Sequence, residues 1–419
     1  MLTFLSRIWK LPDLRRRVIF VVGVLLLTRV LAQIPIPGVD IAQLKQFFGK
    51  NQIFGLLNVF SGGAMENFSL IMMGVGPYIT ASIIMQLLVM IIPRLEEVSK
   101  EGQAGYRQIN QWTRYLTVPL ALIQSYGLII LLRSQNMLGG LTVPQTILTL
   151  IVATAGSIFL MWLGELISEQ GIGNGISLII MLGILSGLPQ QVRNTISTLD
   201  PTQVVNLLIF SLLALAVLAL IVIFNQAERR IPVYYARRAR FAATSKVVHH
   251  LPLKVNTAGV IPIIFALAVL TFPAVIGRFF SVAKSVWLRN SASAVAEFFQ
   301  NNTYYAISYC ILVFLFTYFY TQVVFKPAEI AENLQKQGSF IPGVRPGNET
   351  ANFLNFTITR ITLAGALFLA LVAVLPFIAQ AVTGIQTLVL GGTGILIVVS
   401  VVIETMRQIK AAVQVRTYE

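Results

Sequence analysis

Ten apolar and mostly uncharged stretches divide this chain of 419 residues, and they decide what kind of fold it can adopt. A helix rises ~1.5 Å per residue, so about 20 residues cross the ~30 Å hydrocarbon core of a bilayer. Lipid offers no partner to backbone polar groups, and a helix satisfies its own. The sequence therefore predicts an all-α polytopic membrane protein. The ten predicted spans are residues 18–34, 70–92, 115–132, 146–167, 176–188, 204–224, 257–276, 304–325, 354–376 and 387–403.

The basic residues predict how the chain is oriented. With the N-terminus placed in the cytoplasm, the cytoplasmic segments hold 22 Lys and Arg residues and the opposite side holds 7. This asymmetry satisfies the positive-inside rule and predicts that both termini are cytoplasmic. A basic flank before an apolar run is also typical of a signal peptide, but no small-x-small cleavage site follows. We interpret residues 18–34 as a retained first span.

Two cytoplasmic segments are too long to be simple turns. Residues 225–256 carry seven basic residues against one acidic residue, which indicates either topology alone or a docking surface. We favour docking of a large acidic or RNA-bearing partner, because seven cations exceed what orientation needs. In residues 326–352, prolines and glycines around Arg345 predict a fixed bend that presents this arginine outward.

Glycines and one short apolar segment interrupt the regular pattern. Residues 54–67 are apolar but too short to cross, so they either lie in the membrane interface or fold back as a re-entrant element. Glycine-rich breaks in spans two, five, seven and ten indicate either a lined cavity or close helix packing. Their corresponding positions hint at two halves, residues 1–188 and 189–419, related by an inverted repeat.

The chemistry of an enzyme is missing from the sequence. It contains no phosphate-binding GxxxxGK[ST] motif, its two histidines lie together in the basic segment, and Cys310 is interpreted as a packing residue. No carboxylate lies near the middle of a span, where an ion-coupled transporter places one. We therefore expect no enzymatic activity, no cofactor and no metal. Arg29 and Arg360 lie close enough to span ends to reach the interface.

Paired isoleucines are the candidates for an apolar pore. Ile79 and Ile83 share one helix face, and Ile176 and Ile180 repeat this spacing. Such pairs either face lipid and neighbouring helices or close a conduit. An apolar constriction excludes water and ions without a charged filter.

Eight short stretches, taken together and in order, are typical of one family. They are 35–40 (PIPGVD), 60–63 (FSGG), 76–83 (GPYITASI), 99–102 (SKEG), 171–177 (GIGNGIS), 251–256 (LPLKVN), 341–347 (IPGVRPG) and 391–393 (GGT). On these stretches the chain resembles the SecY family, whose members form the channel of the protein-conducting translocase, over almost its full length.

The resemblance implies two pseudo-symmetric five-helix halves, hinged between spans five and six, around a central pore. The family's pore ring falls on Ile79, Ile83, Ile176, Ile180, Ile264 and Ile397. Its plug falls on residues 54–67, with Phe54, Leu56, Leu57, Val59, Phe60, Gly62 and Gly63. Spans two and seven match the walls of its lateral gate, with Thr80, Gln86, Asn256 and Thr257.

The resemblance also implies partners and a location. Arg237, Arg238, Arg240, Lys246 and Arg345 match positions that contact the ribosome or the ATPase motor SecA. The small membrane subunits SecE and SecG are expected companions, and nascent or unfolded polypeptides the substrates, with no direct DNA binding. The expected location is a bacterial-type inner (plasma) membrane or a thylakoid membrane.

These observations lead to one function and two rivals. We expect a passive channel that moves unfolded polypeptide across the membrane and releases apolar segments sideways into lipid, driven by its docked partner. A secondary transporter with an inverted repeat would need buried coupling charges, which the sequence lacks. An intramembrane enzyme, or an insertase with a charged groove, would have only Arg29 or Arg360 as the charge in its groove.

Overall fold

The computed structural model describes residues 10–37, 39, 41–50, 55, 58, 61–135, 137–138, 142–197, 204–235, 249–280, 285–383 and 387–417. Helices dominate these ranges. They are α1 (Pro12–Gln33), α2 (Ile41–Lys50), α3 (Gly76–Ile91), α4 (Pro93–Lys100), α5 (Gln103–Ser134), α6 (Val143–Glu169), α7 (Gly175–Ser197), α8 (Val204–Gln226), α9 (Ile261–Phe280), α10 (Val286–Gln300), α11 (Asn302–Val324), α12 (Pro327–Lys336), α13 (Asn348–Thr383) and α14 (Thr387–Thr417). The strands are β1 (Glu228–Tyr235), β2 (His249–Lys254) and β3 (Ser339–Phe340).

Each of the ten predicted spans overlaps one helix, namely α1, α3, α5, α6, α7, α8, α9, α11, α13 and α14. Within the described ranges, four helical stretches are long and apolar enough to cross a membrane. A fifth is added if α3 and α4, which meet at a bend of 101°, count as one broken span. Gly175–Gln190, Ala214–Gln226 and Ile261–Leu270 are apolar but shorter. The chain is therefore a multi-pass membrane protein.

The second predicted span begins later than the sequence indicates. Residues 70–75 continue the apolar run, but the helix α3 begins only at Gly76. Residues 61–75, called the re-entrant segment below, form consecutive tight turns instead. Gly62, Gly63 and Gly74 have positive φ angles there, and glycine adopts this conformation without steric cost.

Proline and polar caps explain where several helices begin. α1, α3, α4, α6 and α12 each have proline in the first turn, where its missing N–H is not needed. Thr142 and Gln145 form a capping box at the start of α6. Asn301 accepts a hydrogen bond from the Thr303 N–H at 3.0 Å and so caps α11.

The predicted glycine breaks lie between helices rather than inside them. Gly171 and Gly173 adopt positive φ angles just before α7, and Gly259 does so just before α9. The break predicted in span ten is wrong, because α14 runs without interruption from Thr387 to Thr417.

Close backbone contacts bind the first five spans together. A Cβ atom on Gly156 of α6 would lie only 2.1 Å from the Leu70 carbonyl oxygen in the re-entrant segment. A Cβ atom on Gly175 of α7 would lie 1.9 Å from the Gly164 carbonyl oxygen of α6. These glycines therefore act as close-packing residues, one of the two interpretations left open by the sequence.

The predicted cytoplasmic segments contain a small sheet rather than loops alone. The strand order is β2-β1-β3, with antiparallel neighbours, so β3 from residues 326–352 joins the strands of residues 225–256. Ile231 pairs with Leu251, and Tyr234 pairs with Phe340. A separate buried cluster below the sheet contains Ile231, Val233, Leu253, Ile341 and Leu354.

A matched pair of glycine substitutions tests the close contact at Gly156. We expect Gly156→Ala to destabilise the protein by about 1–3 kcal/mol, the usual cost of overpacking, because its Cβ would meet the Leu70 carbonyl. Gly23→Ala on α1 is the control, since no atom lies within 4 Å of its Cβ position. Thermal unfolding in detergent measures both. Equal midpoints for the two variants would contradict the contact.

Candidate functional site

The predicted pore-ring isoleucines are placed around the largest buried cluster. Ile180, Ile264 and Ile397 belong to it, and Ile397 has no exposed surface. Ile79 and Ile176 are partly buried and pack against it. Ile83 is also buried, although it lies outside this cluster. Four of the six side chains on α3, α7, α9 and α14 are thus buried inside the protein, and the other two are partly covered by it.

Two isoleucines on α7 each pack against a glycine of a neighbouring helix. The Ile176 side chain packs on Gly164 of α6, where a Cβ would lie 2.4 Å from its Cδ1 atom. Ile184 packs in the same way on Gly394 of α14, where a Cβ would lie 2.7 Å from its Cγ2 atom. Ile184 is fully buried and was missed by the sequence analysis. Its signal was the continued four-residue spacing after Ile176 and Ile180.

The re-entrant segment lies inside the protein and joins the same cluster. Ala64, Ile71 and Val75 are buried cluster members, and Phe68 is buried against a neighbouring apolar group. For residues 61–67, the re-entrant alternative is therefore the observed one. Gly62 is buried and Gly63 half-buried. The other predicted plug residues, Phe54, Leu56, Leu57, Val59 and Phe60, lie outside the described residues.

Backbone hydrogen bonds attach the re-entrant segment to the chain that follows α1. The Ile36 N–H donates to the Phe68 carbonyl at 2.8 Å, and the Leu70 N–H donates to the Ile34 carbonyl at 3.2 Å. The side-chain amide of Asn58, which precedes the segment, donates to the carboxylate of Glu66 within it at 2.7 Å. These bonds provide partners for backbone and side-chain groups that no helix satisfies.

The Arg29 side chain on α1 does not extend toward the membrane interface. Its guanidinium Nη1 donates a hydrogen bond to the Gly62 carbonyl oxygen at 2.7 Å. The same group borders a small cavity between α1, the re-entrant segment, α6 and α7. The sequence interpretation of Arg29 as a residue extended toward the interface is therefore wrong. Arg360, in contrast, is exposed and lies over the Phe356 ring at 4.0 Å.

The predicted walls of the lateral gate are in contact. α3 and α9 pack against each other, and α9 also packs against α5. On α3, Thr80 accepts a hydrogen bond from Gln124 of α5 at 3.4 Å, and Gln86 donates to Ser82 at 3.2 Å. The Gln86 Oε1 atom is buried and has no partner in the described structure.

Asn256, just before α9, belongs to a buried polar network. It donates to the Asn225 side chain at 2.7 Å, and Asn225 donates to the Ser400 hydroxyl of α14 at 2.8 Å. Arg407 of α14 donates to the Asn225 backbone carbonyl at 3.0 Å. The next residue, Thr257, bonds only locally, to the Lys254 carbonyl at 2.8 Å. Asn256 therefore fixes the start of α9 to α8 and α14.

In the second of the predicted cytoplasmic segments, Arg345 is exposed at a fixed turn, as predicted. The turn is held by the Thr350 hydroxyl, which donates to the Arg345 carbonyl at 2.8 Å, and Gly343 and Gly347 have positive φ angles. The other predicted docking residues, Arg237, Arg238, Arg240 and Lys246, lie outside the described residues.

Charged side chains of α4 interact electrostatically with those at the start of α12. The Lys100 ammonium donates to Glu96 and holds the pKa of that carboxyl below its usual value, and Lys326 lowers it further. Lys326 pairs with Glu329 at 2.9 Å.

Comparison with known proteins decides the family. A family model for SecY matches residues 69–406. A curated relative from Streptomyces coelicolor, "Protein translocase subunit SecY", is 41% identical over 443 aligned residues, covering 100% of this chain and 99% of the relative. The chain belongs to the SecY family. The resemblance inferred from eight motifs is thereby confirmed over the full length.

Solved structures show the same fold. One, described as "The structure of a protein conducting channel", matches with a TM-score of 0.64 at 20% identity, covering 94% of this chain and 91% of that chain. Another, Sec61 in a canine ribosome–channel complex from the endoplasmic reticulum, matches with a TM-score of 0.61 at 20% identity and the same coverage. The predicted all-α SecY-type architecture is therefore confirmed.

Removal of the Asn256 side chain tests the polar network. We expect Asn256→Ala to leave the partly buried Asn225 amide oxygen without its donor and to destabilise the protein by about 1 kcal/mol. Thr257→Ala is the matched control, since it removes only a local hydrogen bond. Thermal unfolding of the purified protein compares the two. A control that loses as much stability as the Asn256 variant would argue against the network.

Proposed function

We propose that this chain forms a channel through which unfolded polypeptides cross the membrane, and that Ile79, Ile83, Ile176, Ile180, Ile264 and Ile397 form its constriction. The observation that carries the proposal is that five of these isoleucines belong to or pack against the same buried cluster as the re-entrant segment, while Ile83 is buried outside it. Aliphatic side chains make no directional bonds, so such a ring excludes water yet deforms around chemically varied cargo.

The re-entrant segment acts as the plug in this proposal. It reaches the buried cluster from the chain between spans one and two, and it is held by turns and hydrogen bonds rather than by a continuous helix. Segments with few regular backbone bonds open at lower free energy than helices do. Displacement of residues 54–67 and widening of the ring then admit the passenger.

Contact between α3 and α9 supports a lateral gate at this pair, with Thr80, Gln86, Asn256 and Thr257 along it. Apolar passenger segments leave through the gate when burial in lipid outweighs the cost of their polar groups, at about 25 cal/mol per Å² of apolar area. The two halves, residues 1–188 and 189–419, separate along the same line.

The energy for transport comes from a partner, because the chain carries no phosphate-binding motif and acts without catalysis. A ribosome or the ATPase SecA docks on Arg237, Arg238, Arg240, Lys246 and Arg345, and SecE and SecG complete the membrane complex. Exposure of Arg345 at its fixed turn supports this assignment. The proposed location is the bacterial inner membrane, with both termini in the cytoplasm.

Substitutions in the ring test the seal directly. We expect Ile83→Ser together with Ile180→Ser to raise resting ion conductance in planar bilayers, because two buried aliphatic side chains are replaced by small polar groups. Ile151→Ser, at an exposed position of α6, is the control. A double variant that conducts no more than the control would refute the constriction.

Charge reversal tests the docking surface. We expect Arg237→Glu, Arg238→Glu and Arg240→Glu, combined, to weaken binding of ribosome and SecA by more than tenfold at physiological ionic strength, where the Debye length is about 8 Å. The control reverses the same number of cytoplasmic charges at Lys326, Lys336 and Lys410. Sedimentation and surface-binding assays measure the affinities. Affinities within twofold of the unmodified protein for both partners would place docking elsewhere.

A further inference from the structure

Arg29 has no role in the proposed function, although its position is costly. It is a cation within an apolar span, and such residues are expensive in a membrane unless they find a partner. Its partner is not a carboxylate but the backbone carbonyl of Gly62, at 2.7 Å. The bond joins residues 33 positions apart, from the first span to the re-entrant segment.

The Gly62 backbone is held on two sides. A Cβ atom there would lie 2.8 Å from the Gly183 Cα atom of α7 and 3.0 Å from Nη1 of Arg29. Gly62 also has a φ angle of 69°, which side chains rarely permit. Glycine at position 62 therefore lets the re-entrant segment approach α7 closely while the Arg29 guanidinium binds it from the other side.

The carbonyl that Arg29 binds has no helix to satisfy it. Residues 61–75 form turns, and an unpaired carbonyl buried away from water is costly. A hydrogen bond from an ionised donor is stronger than one between neutral groups. Arg29 therefore stabilises the segment in its buried position, and the two groups lose their common bond when the segment leaves.

We propose that Arg29 is a positioning residue for the plug: its guanidinium latches the Gly62 carbonyl against α7 and so keeps the resting channel closed. This inference rests on the proposed function. It assigns the closing interaction to a side chain in span one, outside the ring and outside the plug itself.

The first test is resting ion conductance of the complete complex in planar bilayers. We expect Arg29→Met to raise the conductance roughly tenfold, since a charge-assisted hydrogen bond is lost. Arg29→Lys retains the charge and a donor, and is expected to lie between Arg29→Met and the unmodified protein. Arg360→Met is the control, because it removes the other arginine placed in a span by the sequence but leaves the plug untouched.

The second test reports the position of the segment independently of conductance. Thr28 is buried, lines the cavity beside Arg29 and bonds only the nearby Leu25 carbonyl, so T28C in a C310S background is a mild change. We expect a membrane-impermeant maleimide to label the introduced thiol slowly in this background. We expect faster labelling when R29M is added to this background. With R29K, the expected rate lies between those of the Arg29 and R29M proteins.

The outcomes separate the latch from the channel. The latch is refuted if the R29M and R29K variants show the same ion conductance and the same labelling rate as the protein with Arg29. It is also refuted if the R360M variant conducts as much as the R29M variant. If a polypeptide passenger opens no conductance in any form of the complex, the proposed function itself fails. Normal passenger-dependent conductance together with a leaky R29M and an intermediate R29K supports both.

Discussion

The pairing of backbone polar groups away from water is the constraint on which this structure depends. In the interior of a helix each N–H and C=O finds its partner four residues away, and caps such as Asn301 serve the groups at the ends. Residues 61–75 lack this solution although they lie in the interior. Their groups are satisfied by local turns, by hydrogen bonds with the chain around Pro35, and by Arg29. A non-helical segment is tolerated in the membrane only because surrounding protein supplies these partners.

The fold was largely predictable because each membrane-spanning helix appears in the sequence as a long apolar run. Run length located the ten helices that overlap the predicted spans, and proline marks the first turn of several helices. The start of α3 was misplaced because residues 70–75 are as apolar as the helix that follows. Hydropathy indicates whether residues are buried, not whether they are helical. Residues 70–75 and the following helix α3 therefore look alike in the sequence. The strand β1 was also missed, although the alternate burial of Ile231 and Val233 is a two-residue period.

The candidate site was predictable in part, and the limit has a physical cause. Four-residue spacing identified isoleucines that share a face, but it cannot say which neighbour that face meets, as Ile176 on Gly164 illustrates. Arg29 and Asn225 have partners that lie far away in the chain, at Gly62 and Ser400. Such pairings depend on how helices are arranged in three dimensions. The local sequence does not indicate these partners. The position of Arg29 in its span suggested that its side chain extends to the membrane interface, whereas it binds Gly62.

The small three-stranded sheet has a mechanical consequence. Its central strand β1 follows directly from α8, and its edge strand β3 lies eight residues before α13, so two distant helices are fastened to one stiff plate. Force applied to any part of that plate is shared at once between both helices. A force applied to the sheet from outside the membrane would therefore act on α8 and α13 together. It would not be absorbed by two separate flexible loops.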